Sequence, residues 1–126
     1  MLRLVLVFAC LATPALADPC KAVPDKGPTP AALQSGAVFT GPVVYVGDGD
    51  SLCVAADPRQ RRDPTSWVEV RVADFYAPEL AAPGGREAKA TLERLAMGQT
   101  ARCKAEHPSH DRIVAICRIN GRSVGA

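Results

Sequence analysis

Five side chains in this sequence have types and spacings suited to one kind of chemistry. Asp48 and Asp50 lie on a glycine-rich turn. Arg71 and Glu79 lie at the two ends of a mainly apolar run, and Arg112 opens a later apolar run. Metal-assisted cleavage of a phosphodiester requires acidic ligands for a divalent cation, a guanidinium for phosphate and a carboxylate for the attacking water. These residues supply all three kinds of group.

Each of these side chains also has an ordinary structural interpretation. Aspartate is favoured in turns, which is sufficient to explain Asp48 and Asp50. Arg71 can be an exposed strand residue paired across a sheet, and Glu79 can be a solvated loop acid. Arg112 can pair with a neighbouring aspartate on the surface.

Residues 1–17 have the pattern of an export signal. Arg3 gives a positive start, Leu4 to Leu11 is an apolar run too short to span a membrane, and Ala15 to Ala17 is a small-x-small cleavage site. We therefore predict an exported protein, periplasmic or secreted, that is cleaved before Asp18 and has no membrane segment afterwards. The alternative interpretation is an N-terminal core strand.

The cysteines fit the same compartment. Of five cysteines, four lie beyond the predicted cleavage point, and an even number in a small exported domain indicates two disulfides. Cys103 and Cys117 fall in the last two predicted strands, which are neighbours in sequence, so we predict that they pair. Cys20 then ties the N-terminal tail to Cys53. No two cysteines are close enough to form a Cys-x-x-Cys metal pair.

The formal net charge of +2 leaves the chain nearly neutral. A broad basic surface for nucleic acid is therefore excluded, and phosphate recognition would depend on a few placed arginines. Arg59, Arg61 and Arg62 form one basic cluster in a polar loop. The simplest interpretation is a solvated loop; if the loop leans toward the site, the cluster can track a nucleic-acid backbone.

Apolar periodicity predicts five strands and one helix in a single domain over residues 37–126. Residues 18–36, rich in proline and alanine, are predicted to be an extended leader held only at Cys20. The order of three strands, a helix and two strands is typical of a mainly β fold, a five-stranded Greek-key barrel of OB type with its helix between strands 3 and 4. The predicted strands are 37–46, 51–55, 67–72, 100–106 and 113–119, and the predicted helix is 86–97.

Over about residues 42–126 the chain resembles the thermonuclease, or staphylococcal-nuclease-like, family. The family pattern is Asp-Gly-Asp-Thr, an arginine on the third strand, Ile-Asp-x-Pro-Glu, a helix, and an arginine before the fifth strand. The corresponding residues here are Asp48-Gly49-Asp50-Ser51, Arg71, Phe75-Tyr76-Ala77-Pro78-Glu79 and Arg112. This ordered set is more specific than the first motif alone.

The resemblance implies calcium-dependent hydrolysis of phosphodiester bonds, with DNA or RNA as the partner. It implies that Asp50 is a direct calcium ligand and that Asp48 lies close behind it. Glu79 would orient or deprotonate the attacking water. Arg71 and Arg112 would bind the scissile phosphate, because a planar guanidinium matches two phosphate oxygens at once.

The sequence departs from the family at one metal position. Tyr76 stands where the family usually has a second calcium-binding aspartate, and a protonated phenol is a poor calcium ligand. Asp74 would share a face with Tyr76 on a strand, but it starts about two residue rises away. We therefore expect calcium to bind more weakly than in the family.

Two further departures lie towards the C-terminus. The family often has Asp-x-Tyr-Gly-Arg before the fifth strand, and residues 108–112 keep only Arg112 in register. That arginine can instead partner Asp111 or Asp74. The family normally continues beyond the position of Val124 into helices under the barrel, so we expect exposed apolar surface here.

These departures favour a second functional hypothesis. In it the chain is a non-catalytic exported barrel that binds nucleic acid or another anionic ligand. Tyr76 and the short C-terminal part support this alternative. A third possibility is a truncated product that does not fold stably alone.

Overall fold

A computed structural model describes residues 18–125, so the predicted export signal lies outside the described residues. The described part is mainly β, with six strands and one α-helix. None of its helices has the length and apolar composition needed to cross a membrane. The elements are β1 (Val38–Asp48), β2 (Ser51–Val54), β3 (Val68–Val72), α1 (Gly85–Ala96), β4 (Thr100–Ser109), β5 (Arg112–Ile119) and β6 (Arg122–Ser123).

The predicted order of three strands, a helix and two strands is confirmed, but the predicted number of five strands is wrong. A sixth strand, β6, follows a tight reversal in which Asn120 and Gly121 have φ values of 52° and 76°. Both residue types tolerate this left-handed backbone, so the chain turns back to pair β6 with β5. A strand of two residues has no periodicity from which to predict it.

The strands follow the order β3-β2-β1-β4-β5-β6, and β3 also pairs with β5. This last pairing is parallel, and the others are antiparallel. The hydrogen-bonded pairs of the first five strands therefore form a closed circuit. β1 contributes to two pairings, because residues 38–42 pair with β4 and residues 43–48 pair with β2.

The interior is formed by alternate strand residues and one face of α1. Leu52, Val70 and Ile113 are fully buried, and Leu92 and Ala96 pack against the same core. The period-2 pattern of the strands and the helical spacing in α1 explain this arrangement. The helix ends before Gly98, whose φ of 75° suits a C-terminal stop.

Both predicted disulfides are present. Cys103 and Cys117 lie directly opposite each other on β4 and β5, with their Cα atoms 4.0 Å apart. Cys20 is joined to Cys53 on β2 with a Cα separation of 6.1 Å. The second bridge fastens the N-terminal segment to the outer face of the sheet.

The N-terminal segment is held by more than its cysteine, so the prediction of a leader anchored only at Cys20 is wrong. Val23 and Leu33 are buried in the main core. The Lys21 amide donates a hydrogen bond to the Pro64 carbonyl at 3.2 Å. The many prolines suggested an extended tail, but two well-spaced apolar side chains are sufficient to anchor it.

This packing predicts the effect of truncating Leu33. We expect Leu33→Ala to lower the free energy of unfolding by about 2–4 kcal/mol, because it leaves a cavity at the core edge. Urea denaturation with intact disulfides measures this change. The exposed neighbour provides a control, since Gln34→Ala should stay within about 0.5 kcal/mol of the parent. A Leu33 variant as stable as the Gln34 variant would mean that the segment does not pack.

Candidate functional site

The acidic turn between β1 and β2 is fixed by contacts on two sides. Asp48 Oδ1 accepts a hydrogen bond from the Asp50 amide at 3.2 Å, so the turn is closed by its own side chain. Asp50 is only 7% exposed, and its Oδ2 accepts a hydrogen bond from the Ala77 amide at 3.2 Å. A Cβ added at Gly49 would lie 2.6 Å from the Cβ atoms of Ala77 and Ala88. The turn therefore packs against both α1 and the segment before it.

The Asp50 carboxyl lies in an environment that disfavours its charge. Burial raises its pKa, and a hydrogen bond shared with the Asp48 carboxyl raises it further. The Ala77 amide and the Arg71 charge act in the opposite direction. Two carboxyl groups close enough to share a proton are also close enough to share a cation, which would relieve the same repulsion.

Arg71 lies beside this acidic turn. Ser51 at the start of β2 pairs with Arg71 on β3, which brings the arginine next to the residue that follows Asp50. Its guanidinium carbon lies 5.9 Å from the centroid of the Tyr76 ring, within the range of a cation–π contact. The structure thus places Asp48, Asp50, Arg71 and Tyr76 close together.

Glu79 follows Ala77, whose amide donates a hydrogen bond to Asp50, by two residues. The Glu79 side chain is exposed. Within residues 18–125 this side chain makes no hydrogen bond or ion pair. Its carbonyl accepts a hydrogen bond from the Ala82 amide at 2.9 Å, which fixes the backbone at this point. Glu79 borders an open cleft of about 1150 Å³ formed by residues 79–84 and the first turns of α1.

Arg112 and Asp74 occupy different positions relative to the turn. Arg112 is half-buried at the start of β5. Arg71 pairs with Val114, so Arg112 lies on the same outer face of the sheet, two residues before the partner of Arg71. Asp74 instead accepts a hydrogen bond from the Ser123 hydroxyl, so it joins β3 to β6.

A buried glutamate that the sequence analysis missed lies between the two arginines. Glu69 is 7% exposed on β3, opposite Cys53 and alongside Arg112. Burial, and then the charge and hydrogen bond of Asp18, raise its pKa to about 8. Asp111 adds to this effect and Arg112 opposes it. We call Asp18, Glu69, Asp111 and Arg112 the Glu69 cluster.

The N-terminal segment creates this cluster. Asp18 Oδ1 accepts a hydrogen bond from the Cys20 amide at 2.8 Å, and the Cys20–Cys53 bridge holds both residues over the sheet. Tyr45, which pairs with Cys53, feels the same environment: burial and then the charges of Asp18 and Glu69 raise its pKa. The alternation of apolar and charged residues along β3 predicts that Glu69 faces outward. Only the Cys20–Cys53 disulfide indicates that the N-terminal segment covers it.

The residues at the acidic turn fit calcium only in part. Calcium takes about six to eight oxygen ligands, and the turn offers two carboxylates, from Asp48 and Asp50. Within the described residues, the only group of three potential ligand side chains is Asp18, Cys20 and Cys53. The two cysteines are joined in a disulfide and present no thiolate. Carbonyl and water oxygens would have to complete a calcium shell at the turn, which favours weak binding.

A search of protein-family models and a search of curated proteins each find no match for this chain.

The raised pKa of Glu69 predicts a pH-dependent stability. Below pH 4.5 this carboxyl is protonated in both states, whereas between 4.5 and about 8 only the folded state holds the proton. Folding stability is thus lost as pH rises through this window, by about 2 kcal/mol after discounting for solvent screening. We expect Glu69→Gln to remove this decline and to be the more stable protein at pH 8.

Urea denaturation from pH 4 to 9 measures this difference. Glu106→Gln serves as the control, because it removes a carboxyl from an exposed position on β4 and should leave the pH profile unchanged. A Glu69→Gln variant that loses stability relative to the parent as pH rises to 8 would contradict the raised pKa and indicate a Glu69 carboxylate paired with Arg112.

Proposed function

We propose that this chain is an exported calcium-dependent nuclease of the thermonuclease family, hydrolysing phosphodiester bonds of DNA or RNA. In this proposal the closed circuit of five strands is a Greek-key barrel of OB type, with β6 as an addition. The two disulfides are consistent with an exported protein. The observation that carries the proposal is the junction of Asp50, Asp48 and Arg71 with the segment that leads to Glu79.

The proposed roles follow from the positions of these groups. Asp50 and Asp48 would hold Ca²⁺, which supplies positive charge to a phosphate oxygen when it is bound. Arg71 lies beside the same turn, and its guanidinium would bind the scissile phosphate. Arg112 lies further along the sheet face, where it can contact the same or the next phosphate.

The bond changes need no covalent enzyme intermediate. Glu79 would accept a proton from water as the water oxygen forms a bond to phosphorus in line with the ester oxygen that leaves. The P–O ester bond breaks, and the departing oxygen takes a proton from solvent. The arginines stabilise the negative charge that grows on the phosphoryl oxygens in the transition state. The Glu79 side chain is exposed to solvent, which gives water free access to it.

The alternative is a non-catalytic exported module that binds nucleic acid or another anion. Two observations favour this alternative. Tyr76 is 78% exposed beside Arg71, and Asp74 accepts a hydrogen bond from the Ser123 hydroxyl. The turn therefore lacks a third carboxylate for calcium. Arg71 and Tyr76 would still offer a guanidinium and an aromatic ring, the pair that binds a phosphate and stacks a base.

Glu79→Gln is the sharpest test of hydrolysis. Because the change removes a proton acceptor and keeps the side-chain shape, we expect cleavage of single-stranded DNA in calcium to fall by about 100-fold or more. Fluorescence release from a doubly labelled oligonucleotide measures the rate. Glu87→Gln is the matched control, since Glu87 borders the same cleft and should retain activity.

The two functions give different results in this assay. Equal cleavage by the parent and Glu79→Gln would remove Glu79 from the mechanism. If the parent binds the oligonucleotide with calcium or with a chelator and cleaves it in neither, the non-catalytic module is the correct function.

A further inference from the structure

Three arginines project from one loop at the end of the β2–β3 hairpin that lies away from the acidic turn. We call residues 57–66 the arginine loop. Arg59, Arg61 and Arg62 are all exposed, and they border a concavity of about 540 Å³ with Pro58, Gln60 and Asp63. We propose that the arginine loop is a second contact surface for nucleic acid, which binds the phosphate backbone of a single strand at a distance from the cleavage site.

The loop backbone is fixed in place before any ligand arrives. Asp57 accepts hydrogen bonds from the Arg59 amide at 2.9 Å and from the Gln60 side chain at 3.1 Å. The Trp67 indole N–H donates to the Arg61 carbonyl at 2.8 Å. The arginine stems thus start from an ordered backbone, so a ligand has to order the side chains but not the loop itself.

The acidic residues of the loop face its own backbone rather than the arginines. Asp63 Oδ1 accepts hydrogen bonds from the Thr65 amide at 3.0 Å and from the Thr65 hydroxyl at 2.7 Å, and these bonds lower the pKa of Asp63. Within residues 18–125 no carboxylate lies within 4.0 Å of a loop guanidinium; the ion pair found there, Lys89 with Glu93, is on α1. The three guanidinium groups therefore keep their donors for an external anion.

Charge and position favour a polyphosphate backbone. Planar guanidinium groups bind phosphate through two donors at once, and three of them within residues 59–62 suit a chain of phosphates better than a single anion. Arg71 and Arg112 lie along the outer face of β3 and β5, and the arginine loop joins the start of β3. Glu69 lies among them, and its raised pKa leaves it mainly uncharged at pH 7. The N-terminal segment covers Glu69 between the acidic turn and the loop, so the loop is a contact surface separate from the turn.

This assignment takes the identity of its partner from the proposed function, but binding can be measured without cleavage. The experiment uses a fluorescein-labelled oligonucleotide of about 12 nucleotides, a length within the range that single-strand-binding folds cover. Fluorescence anisotropy is recorded in EDTA over a series of salt concentrations. The variant is Arg59→Gln, Arg61→Gln and Arg62→Gln combined; these guanidinium groups make no hydrogen bond within the described residues, so the loop frame should remain.

We expect the triple variant to bind about tenfold more weakly or worse at low salt, and the slope of log affinity against log salt to decrease by about 2. The matched control is Arg102→Gln, Lys104→Gln and Arg118→Gln combined, which removes the same charge from exposed positions on β4 and β5. The control should change the affinity less than threefold. An unchanged urea midpoint verifies that each triple variant is folded.

The outcomes separate this proposal from the proposed function. Equal losses of oligonucleotide affinity in the two triple variants would mean that binding depends only on the net charge of the protein. Unchanged affinity in the loop variant would mean that the loop does not contact the oligonucleotide. Either result overturns the proposal. Loss of binding to vesicles of anionic lipid, with oligonucleotide binding retained, would reassign the loop to membranes and also overturn it. Loop-dependent binding by a parent protein that never cleaves in calcium would support this surface and contradict the nuclease.

Discussion

The hydrogen bond from the Ala77 amide to the buried Asp50 carboxylate connects the parts of the molecule on which the site depends. It joins the β1–β2 turn to the segment between β3 and α1, which are far apart in sequence. Gly49 makes this junction possible, because a Cβ at that position would collide with Ala77 and Ala88. A charged side chain is placed at a packed junction, where burial raises its pKa. Such an arrangement costs stability unless a proton, an amide or a cation compensates the charge.

On the outer face of β3, burial again disfavours the charge of a carboxyl group, that of Glu69. The Cys20–Cys53 bridge holds Asp18 close to Glu69, and the Arg112 charge only partly counteracts the resulting rise in the pKa of Glu69. The N-terminal segment therefore contributes to the electrostatics around a proposed phosphate-binding arginine as well as to the core. Any change that releases this segment should alter the charge near Arg112. The structural role of the tail and the chemistry of the face are thus linked through one disulfide.

Much of the fold could be predicted from local patterns, because alternation along the strands and the helical spacing before Gly98 report directly on burial. The disulfide pairing followed from strand adjacency. Local patterns do not predict contacts between residues that are far apart in the sequence. Leu33 packs into the core from a proline-rich tail, β6 is too short to have a pattern, and Glu69 looks like an ordinary outward-facing strand residue. Only the three-dimensional position of the tail explains why that glutamate is buried.

The predicted site residues divide in the same way. Asp48 and Asp50 lie on one tight turn, so their proximity is fixed by short-range geometry, whereas Arg71 comes close to them only through the pairing of β2 with β3. Glu79 and Asp74 lie on an irregular connection, and their side-chain directions depend on tertiary contacts such as the bond between Asp74 and Ser123. The proposed calcium site at the turn therefore has two carboxylates rather than three.

The most direct measurement is an NMR titration of the ¹⁵N-labelled protein with calcium at pH 7, following backbone amides at residues 48–51 and 77. If Asp50 and Asp48 hold the ion, these amide signals shift together and saturate, the shifts are lost in Asp50→Asn, and they persist in Asp74→Asn. Shifts that fail to saturate, that survive in Asp50→Asn, or that centre on Asp18 would contradict a calcium site at the acidic turn.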